Sequence, residues 1–167
     1  MKIILSLTLF ALLFSCNTPP KPKPVDIAAE EIAIKAVFDT LFKSIDDRNI
    51  DLLASVLADN GIFMGTDPGE LLPKDTIVAA WSQMMNMPEL PPFEFINEPF
   101  IRIQPDGKTA VVVQQYYWNL FTTLPLRQSF WMVKNDSAWL IDFFDFSFIP
   151  YNKQIPVLNE AVKAEKD

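Results

Sequence analysis

The chain has 167 residues, 50% of them hydrophobic, with a formal net charge of −7, no histidine and one cysteine. An acidic balance of this size argues against nucleic acid as a partner and against docking on anionic lipid heads through a basic patch. Without histidine there is no imidazole acid/base chemistry and none of the usual zinc or iron ligand sets, and a lone cysteine leaves no disulfide within the chain.

The chain opens "MKIILSLTLFALLFSC": Lys2, then a run from Ile3 to Phe14 broken by no charge, then Ser15 and Cys16. A membrane-spanning helix takes about 20 apolar residues, so this shorter run reads as the core of a signal peptide over residues 1–15. The stretch "LFSC" resembles the lipobox of bacterial lipoproteins, although Phe14 is bulkier than the residue usual at that place. The resemblance implies that Cys16 receives a diacylglycerol and becomes the new N-terminus. Acyl chains then hold the protein to a membrane, each buried methylene contributing about 0.8 kcal/mol. Asn17 stands where inner-membrane lipoproteins of enteric bacteria carry aspartate, which implies the bacterial cell envelope, at the outer membrane facing the periplasm. Residues 16–25 contain Pro19, Pro20, Pro22 and Pro24 and read as an extended tether.

From about Asp26 the chain is long enough for one domain and too short for two. Ile34, Val37, Phe38, Leu41, Phe42 and Ile45 recur at spacings of three and four, which predicts a helix with one apolar face. Asn49 or Asp51 then caps a second helix, "DLLASVLA". "GIFMGTDPGE" predicts a short strand and a type II turn with Pro68 and Gly69 at its centre. "PKDTIVAAWSQMM" predicts a third helix, with Pro73 at its start and Asp75 in its first turn.

Beyond Phe93 the period becomes two. "FEFINEPFIRIQ" is a strand interrupted at Pro99, and "PDGK" is a hairpin turn. "TAVVVQQYYWNLF", "RQSFWMVK" and "AWLIDFFDFSF" are further strands, with a turn at "NDS" between the last two. Three helices followed by long antiparallel strands predict an α+β layer fold. Residues 151–167 read as a polar tail with no assigned role.

Two stretches, "DDRNIDLLASVLADNGIFMGTDPGE" and "WLIDFFDFSF", make the chain resemble the SnoaL-like group of the nuclear transport factor 2-like superfamily over Ile27 to Pro150. The resemblance implies a cone: a curved antiparallel sheet packed on three N-terminal helices, the cystatin-like roll, enclosing a pocket over residues 26–150. Relatives use that pocket for catalysis, for binding and for pairing subunits. Where they carry histidines on the last strand, this chain has Phe143 and Asp145, so neither a metal nor another cofactor is implied.

Alternation along the last strand places Trp139, Ile141, Phe143, Asp145 and Ser147 on one face and Leu140, Asp142, Phe144, Phe146 and Phe148 on the other. By resemblance the first set faces the pocket. Three readings of Asp145 follow. In an isomerase- or hydrolase-like enzyme, Asp145 or Glu94 shuttles a proton while Tyr116 or Tyr117 donates to a developing oxyanion. In a binding module Asp145 is the polar hook on an apolar wall. Trp139, Phe143, Ser147, Phe38, Trp81, Tyr117 and Arg127 share that site, and the ligand is a small hydrophobic molecule. In a purely structural role Asp145 accepts a hydrogen bond from Arg127 or a tryptophan N–H.

Thr66, Asp67 and Glu70 resemble a family loop near the pocket mouth, though the turn alone accounts for Asp67, Pro68 and Gly69. Trp81, Met84, Met85 and Met87 line either a ligand portal or, at their helical spacing, the core. Tyr116, Tyr117 and Trp118 are consecutive on a strand and cannot all face inward. An aromatic on the outer sheet face suits a homodimer contact.

Overall fold

Asp26 accepts a hydrogen bond from the Ala29 amide at 3.1 Å and so starts the first helix, α1 (Ile27–Asp46). The computed structural model describes residues 24–120 and 122–164. The expected signal segment, Cys16, most of the tether and the last three residues lie outside the described residues. Ile34, Phe38, Leu41 and Ile45 are buried on the predicted apolar face of α1, with Val37 and Phe42 at its half-buried border.

The helix stops where Arg48 takes a left-handed φ of 55°. Asn49 then caps α2 (Ile50–Ser55) by accepting from the Leu52 amide at 3.0 Å. This second helix is shorter than "DLLASVLA" suggests, because Leu57 already opens strand β1 (Leu57–Met64). The Ile141 amide donates to the Val56 carbonyl at 2.8 Å and Leu57 registers with Ile141, so pairing with the last strand replaces another helical turn.

The turn after β1 also differs from expectation. It is closed by the Glu70 amide on the Asp67 carbonyl at 3.0 Å and by the Gly69 amide on Asp67 Oδ1 at 2.9 Å. Gly69 lacks the positive φ that a type II turn demands; among the described residues the left-handed glycine is Gly107, at φ 67°. The aspartate side chain therefore holds this turn, and glycine's freedom is not called on.

β2 (Leu71–Pro73) leads into α3 (Lys74–Met85), with Pro73 at the N-cap. The interruption predicted at Pro99 separates β3 (Glu94–Phe95) from β4 (Phe100–Ile103); the two lie end to end along one edge of β5 (Thr109–Tyr117). β6 (Leu126–Asn135) and β7 (Ala138–Phe148) complete a sheet of order β2-β1-β7-β6-β5-β3, with β4 also on β5. Its pairs are antiparallel except β1 with β7, which is parallel. Those two strands are remote in sequence and no hairpin joins them, so nothing imposes the antiparallel sense. After a 3-10 turn at 152–154, the segment read as a polar tail forms α4 (Ile155–Ala164), with no buried residue.

Aromatic side chains fill the space between α1 and the inner sheet face. Phe38 meets Phe130 edge-on at 4.6 Å between ring centres, and Phe63 meets Phe144 at 4.9 Å. A void of about 10 Å³ remains, bordered by Phe42, Phe93, Tyr116 and Phe144, roughly the room one water needs.

The face assignment on β7 needs correction at its centre. Trp139 and Ile141 are buried, and then so is Phe144, which means that the inward phase slips by one residue at Asp142. Trp131 on β6 registers with Phe143 and Met132 with Ile141, leaving Asp142 as an extra residue between two normal pairs. β1 is displaced at the same point, passing from Leu57 opposite Ile141 to Ile62 opposite Phe143. A bulge moves every side chain beyond it to the other face. Trp139 and Ile141 thus point inward as predicted, but Phe143, Asp145 and Ser147 lie on the outer face, and Phe144 and Phe146 pack inward.

Candidate functional site

Beside the filled interior a cleft of about 470 Å³ lies between α3, the 65–70 turn and the ends of β5, β6 and β7. Trp81 is its floor. This residue is 8% exposed and stacks on Trp118 with ring centres 6.0 Å apart and planes 9° apart, and on Phe146 at 6.4 Å. Leu72, Ile77, Met84, Met87, Leu126 and Phe148 extend the apolar wall.

Two anchors hold these walls in place. The Trp118 indole N–H donates to the Pro91 carbonyl at 2.8 Å. Arg48, whose left-handed backbone aims its side chain across the end of α3, donates to the carbonyls of Met85 at 2.7 Å, Met87 at 2.6 Å and Pro88 at 3.2 Å. The guanidinium thus satisfies the carbonyl of Met85, the last residue of α3, which the helix itself leaves without a partner, and two carbonyls of the loop that follows.

The polar rim comes from the loop after β1. Gly65, Thr66 and Glu70 border the cleft, and one carboxylate oxygen of Glu70 accepts from the Asp67 amide at 3.0 Å. That carboxylate lies over Gly65 so closely that a Cβ built there would fall 1.9 Å from Glu70 Oε2. Gln83 adds a neutral amide, and among the described residues neither lysine nor arginine borders the cleft. The nearby Lys74 is engaged elsewhere, donating to the Leu57 carbonyl and to Asp59 Oδ1, both at 2.8 Å, and its hydrogen bond holds the Asp59 carboxyl below the usual carboxylate range. Among the described residues no group of three or more histidine, cysteine, aspartate or glutamate side chains is placed to hold a metal ion.

The predicted site residues are not assembled in one place. Trp81 lines the cleft, whereas Phe38 and Trp139 are buried in the core. Trp139 donates its indole N–H to Glu30 at 2.8 Å. Asp145 registers with Ser129 on the outer face, and its side chain accepts from Ser147 Oγ at 3.3 Å, so its partner is neither Arg127 nor a tryptophan. Arg127 is exposed opposite Ser147. Tyr116 is buried and donates to Gln128 Oε1 at 2.9 Å, and burial pushes its hydroxyl pKa up. Tyr117 is on the outer face with its hydroxyl 2.6 Å from that of Tyr151, a bond that, with partial burial, raises its pKa as well. Glu94 is exposed and registers opposite Tyr117, away from the cleft. Among the described residues, Asp145 and Glu94 therefore share neither the interior void nor the cleft with Tyr116 or Tyr117, as the proton-shuttling arrangement would require.

Thr66, Glu70, Met84 and Met87, whose turn and helical spacing already account for them in the sequence, are among the residues that border the cleft. Strand alternation assigned Phe146 and Phe148 to the wrong face. Their visible signal was the aromatic run itself, whose phase the bulge reverses. Because Asp145 is away from the cleft, Asp145→Asn is expected to change stability by less than about 0.5 kcal/mol and to leave tryptophan-detected binding in the cleft as in the wild type.

The SnoaL-like domain family matches residues 34–152. Among solved structures, a nuclear transport factor 2-like protein from Cytophaga hutchinsonii aligns over 71% of this chain and 98% of its own, with a TM-score of 0.61 at 20% identity. A domain of unknown function with a cystatin-like fold from Nostoc punctiforme aligns over 79% and 85%, with a TM-score of 0.65 at 17% identity. An uncharacterized cystatin-like protein from Caulobacter vibrioides aligns over 78% and 99%, with a TM-score of 0.62 at 16% identity. These likenesses concern the fold alone. Among curated proteins none matches significantly. A match over most of the chain, on a curved sheet wrapped against helices, places this protein in the SnoaL-like domain family of the nuclear transport factor 2-like fold.

Proposed function

We propose that this chain is a lipid-anchored protein of the bacterial cell envelope, at the outer membrane facing the periplasm, whose domain binds a small hydrophobic molecule in the cleft beside α3. The observation that carries the binding reading is the cleft itself, about 470 Å³ of aromatic and aliphatic wall with a short polar rim. That volume and lining are those of a small-molecule site. The ligand lies against Trp81 and Trp118, because the interior beyond them is filled by side chains. The "LFSC" stretch ending at Cys16 and the proline-rich tether after it support the anchor.

Mass spectrometry of small molecules that co-purify from native membranes tests the binding reading, together with melting against a panel of lipids and sterols. A ligand at about 100 times its Kd adds about 2.7 kcal/mol of stability, which a melting curve resolves. The reading fails if nothing co-purifies and no compound shifts either the melting temperature or the tryptophan emission.

A homodimer through the outer sheet face has its own support. Phe100 on β4, Trp131 on β6 and Ile62 on β1 are 59%, 39% and 40% exposed on that face, with Phe143 half-buried between the last two. Light scattering of the wild type beside Trp131→Lys distinguishes this assembly from a monomer.

A further inference from the structure

Among the described residues, Glu70 is the one ionisable side chain that borders the cleft. One of its oxygens is occupied by the Asp67 amide, and among the described residues no cation pairs with it. The neighbouring carboxylate, Asp67, is turned to the Gly69 amide at 2.9 Å, and Lys74 is committed to Asp59 and the Leu57 carbonyl. Glycine at 65 is what lets the Glu70 carboxylate lie where it does, since a Cβ would collide with it. An uncompensated carboxylate on the rim of an apolar cleft favours a cation by ion pairing and charge-assisted hydrogen bonding. An anionic head would meet this carboxylate with no basic group to answer it, on a chain that carries a net −7.

We propose, resting on the reading of the cleft as a binding site, that its ligand is an amphiphile bearing a protonated amine, with the amine at Glu70 beside Thr66 and the apolar body against Trp81 and Trp118. Fatty acids and other carboxylate or phosphate amphiphiles are disfavoured by the same arrangement.

The test titrates the full chain with three probes of equal chain length, octylamine, octanol and octanoate, followed by tryptophan emission. Octylamine is expected to bind roughly tenfold or more tightly than octanol, and octanoate more weakly than either. Glu70→Gln keeps an acceptor for the Asp67 amide and should bring the octylamine-to-octanol ratio to about one. Gly65→Ala, which pushes the carboxylate off its place without removing it, should narrow the ratio several-fold. Octanoate binding as tightly as octylamine, or a wild-type ratio in both variants, overturns the amine proposal and leaves the apolar cleft standing. No response to any of the three probes overturns the cleft reading, and the amine proposal with it.

Discussion

Replacing Phe144 with alanine is expected to cost about 3–5 kcal/mol, while the same replacement at its neighbour Phe143 costs about 1 kcal/mol or less. Phe144 is 2% exposed and touches Phe63, Phe130 and Phe146, with ring centres 4.9, 6.0 and 5.3 Å away. Its loss leaves a cavity bounded by rings that β6, β7 and β1 hold in place, so the surroundings collapse only partly. Phe143 stands on the outer face opposite Trp131 and Ile62, both about two-fifths exposed, and loses only cross-strand contacts. Unbroken alternation from Trp139 predicts the reverse order. Equilibrium denaturation of the two variants therefore measures the bulge at Asp142 directly, and equal or inverted costs would contradict it.

Glu30→Gln is expected to lower stability by about 1–3 kcal/mol near neutral pH and to remove part of the acid sensitivity of the fold. The Glu30 carboxylate on α1 accepts from Lys134 Nζ at 2.5 and 2.7 Å and from the Trp139 indole at 2.8 Å, tying the helix to β6 and β7. Both charged side chains are mostly shielded, Glu30 at 18% exposed and Lys134 at 21%. Their hydrogen bonds, that of Lys134 first and that of Trp139 second, hold the Glu30 carboxyl below the usual carboxylate range. A carboxyl whose pKa is lowered by folding stabilises the native state fully above its unfolded value of about 4.3, and that contribution is lost as pH falls through the lower folded value. The wild type should thus lose stability more steeply than Glu30→Gln below about pH 5, and the two curves should converge in acid. Parallel curves across that range would show that Glu30 is not the coupled group.

Much of the architecture could be read from the chain because it is encoded locally. The apolar face of α1 follows from spacings of three and four, Asn49 caps α2 with its own side chain, Pro73 marks the start of α3, and Pro99 interrupts pairing where no amide is available to donate. Each is a property of a few consecutive residues, and tertiary contacts reinforce it. Even here α2 is shorter than its pattern, since Val56 and Leu57 are drawn to a strand more than 80 residues away.

The site was legible only in fragments, for a reason that lies in β7. Strand alternation assumes one residue per pleat, but β7 is paired on both sides, and both partners change register at Asp142. One extra residue reversed the facing of everything after it, carrying Asp145 outward and Phe146 toward the cleft. By itself the sequence determined the α+β class, the family likeness and the lipobox-like cysteine, all carried by short contiguous patterns. Tertiary structure alone decided that aromatic rings close the interior and that Glu70, released from Gly65 by the missing Cβ, borders the cleft beside Trp81 and Trp118, because that meeting depends on how three distant segments pack.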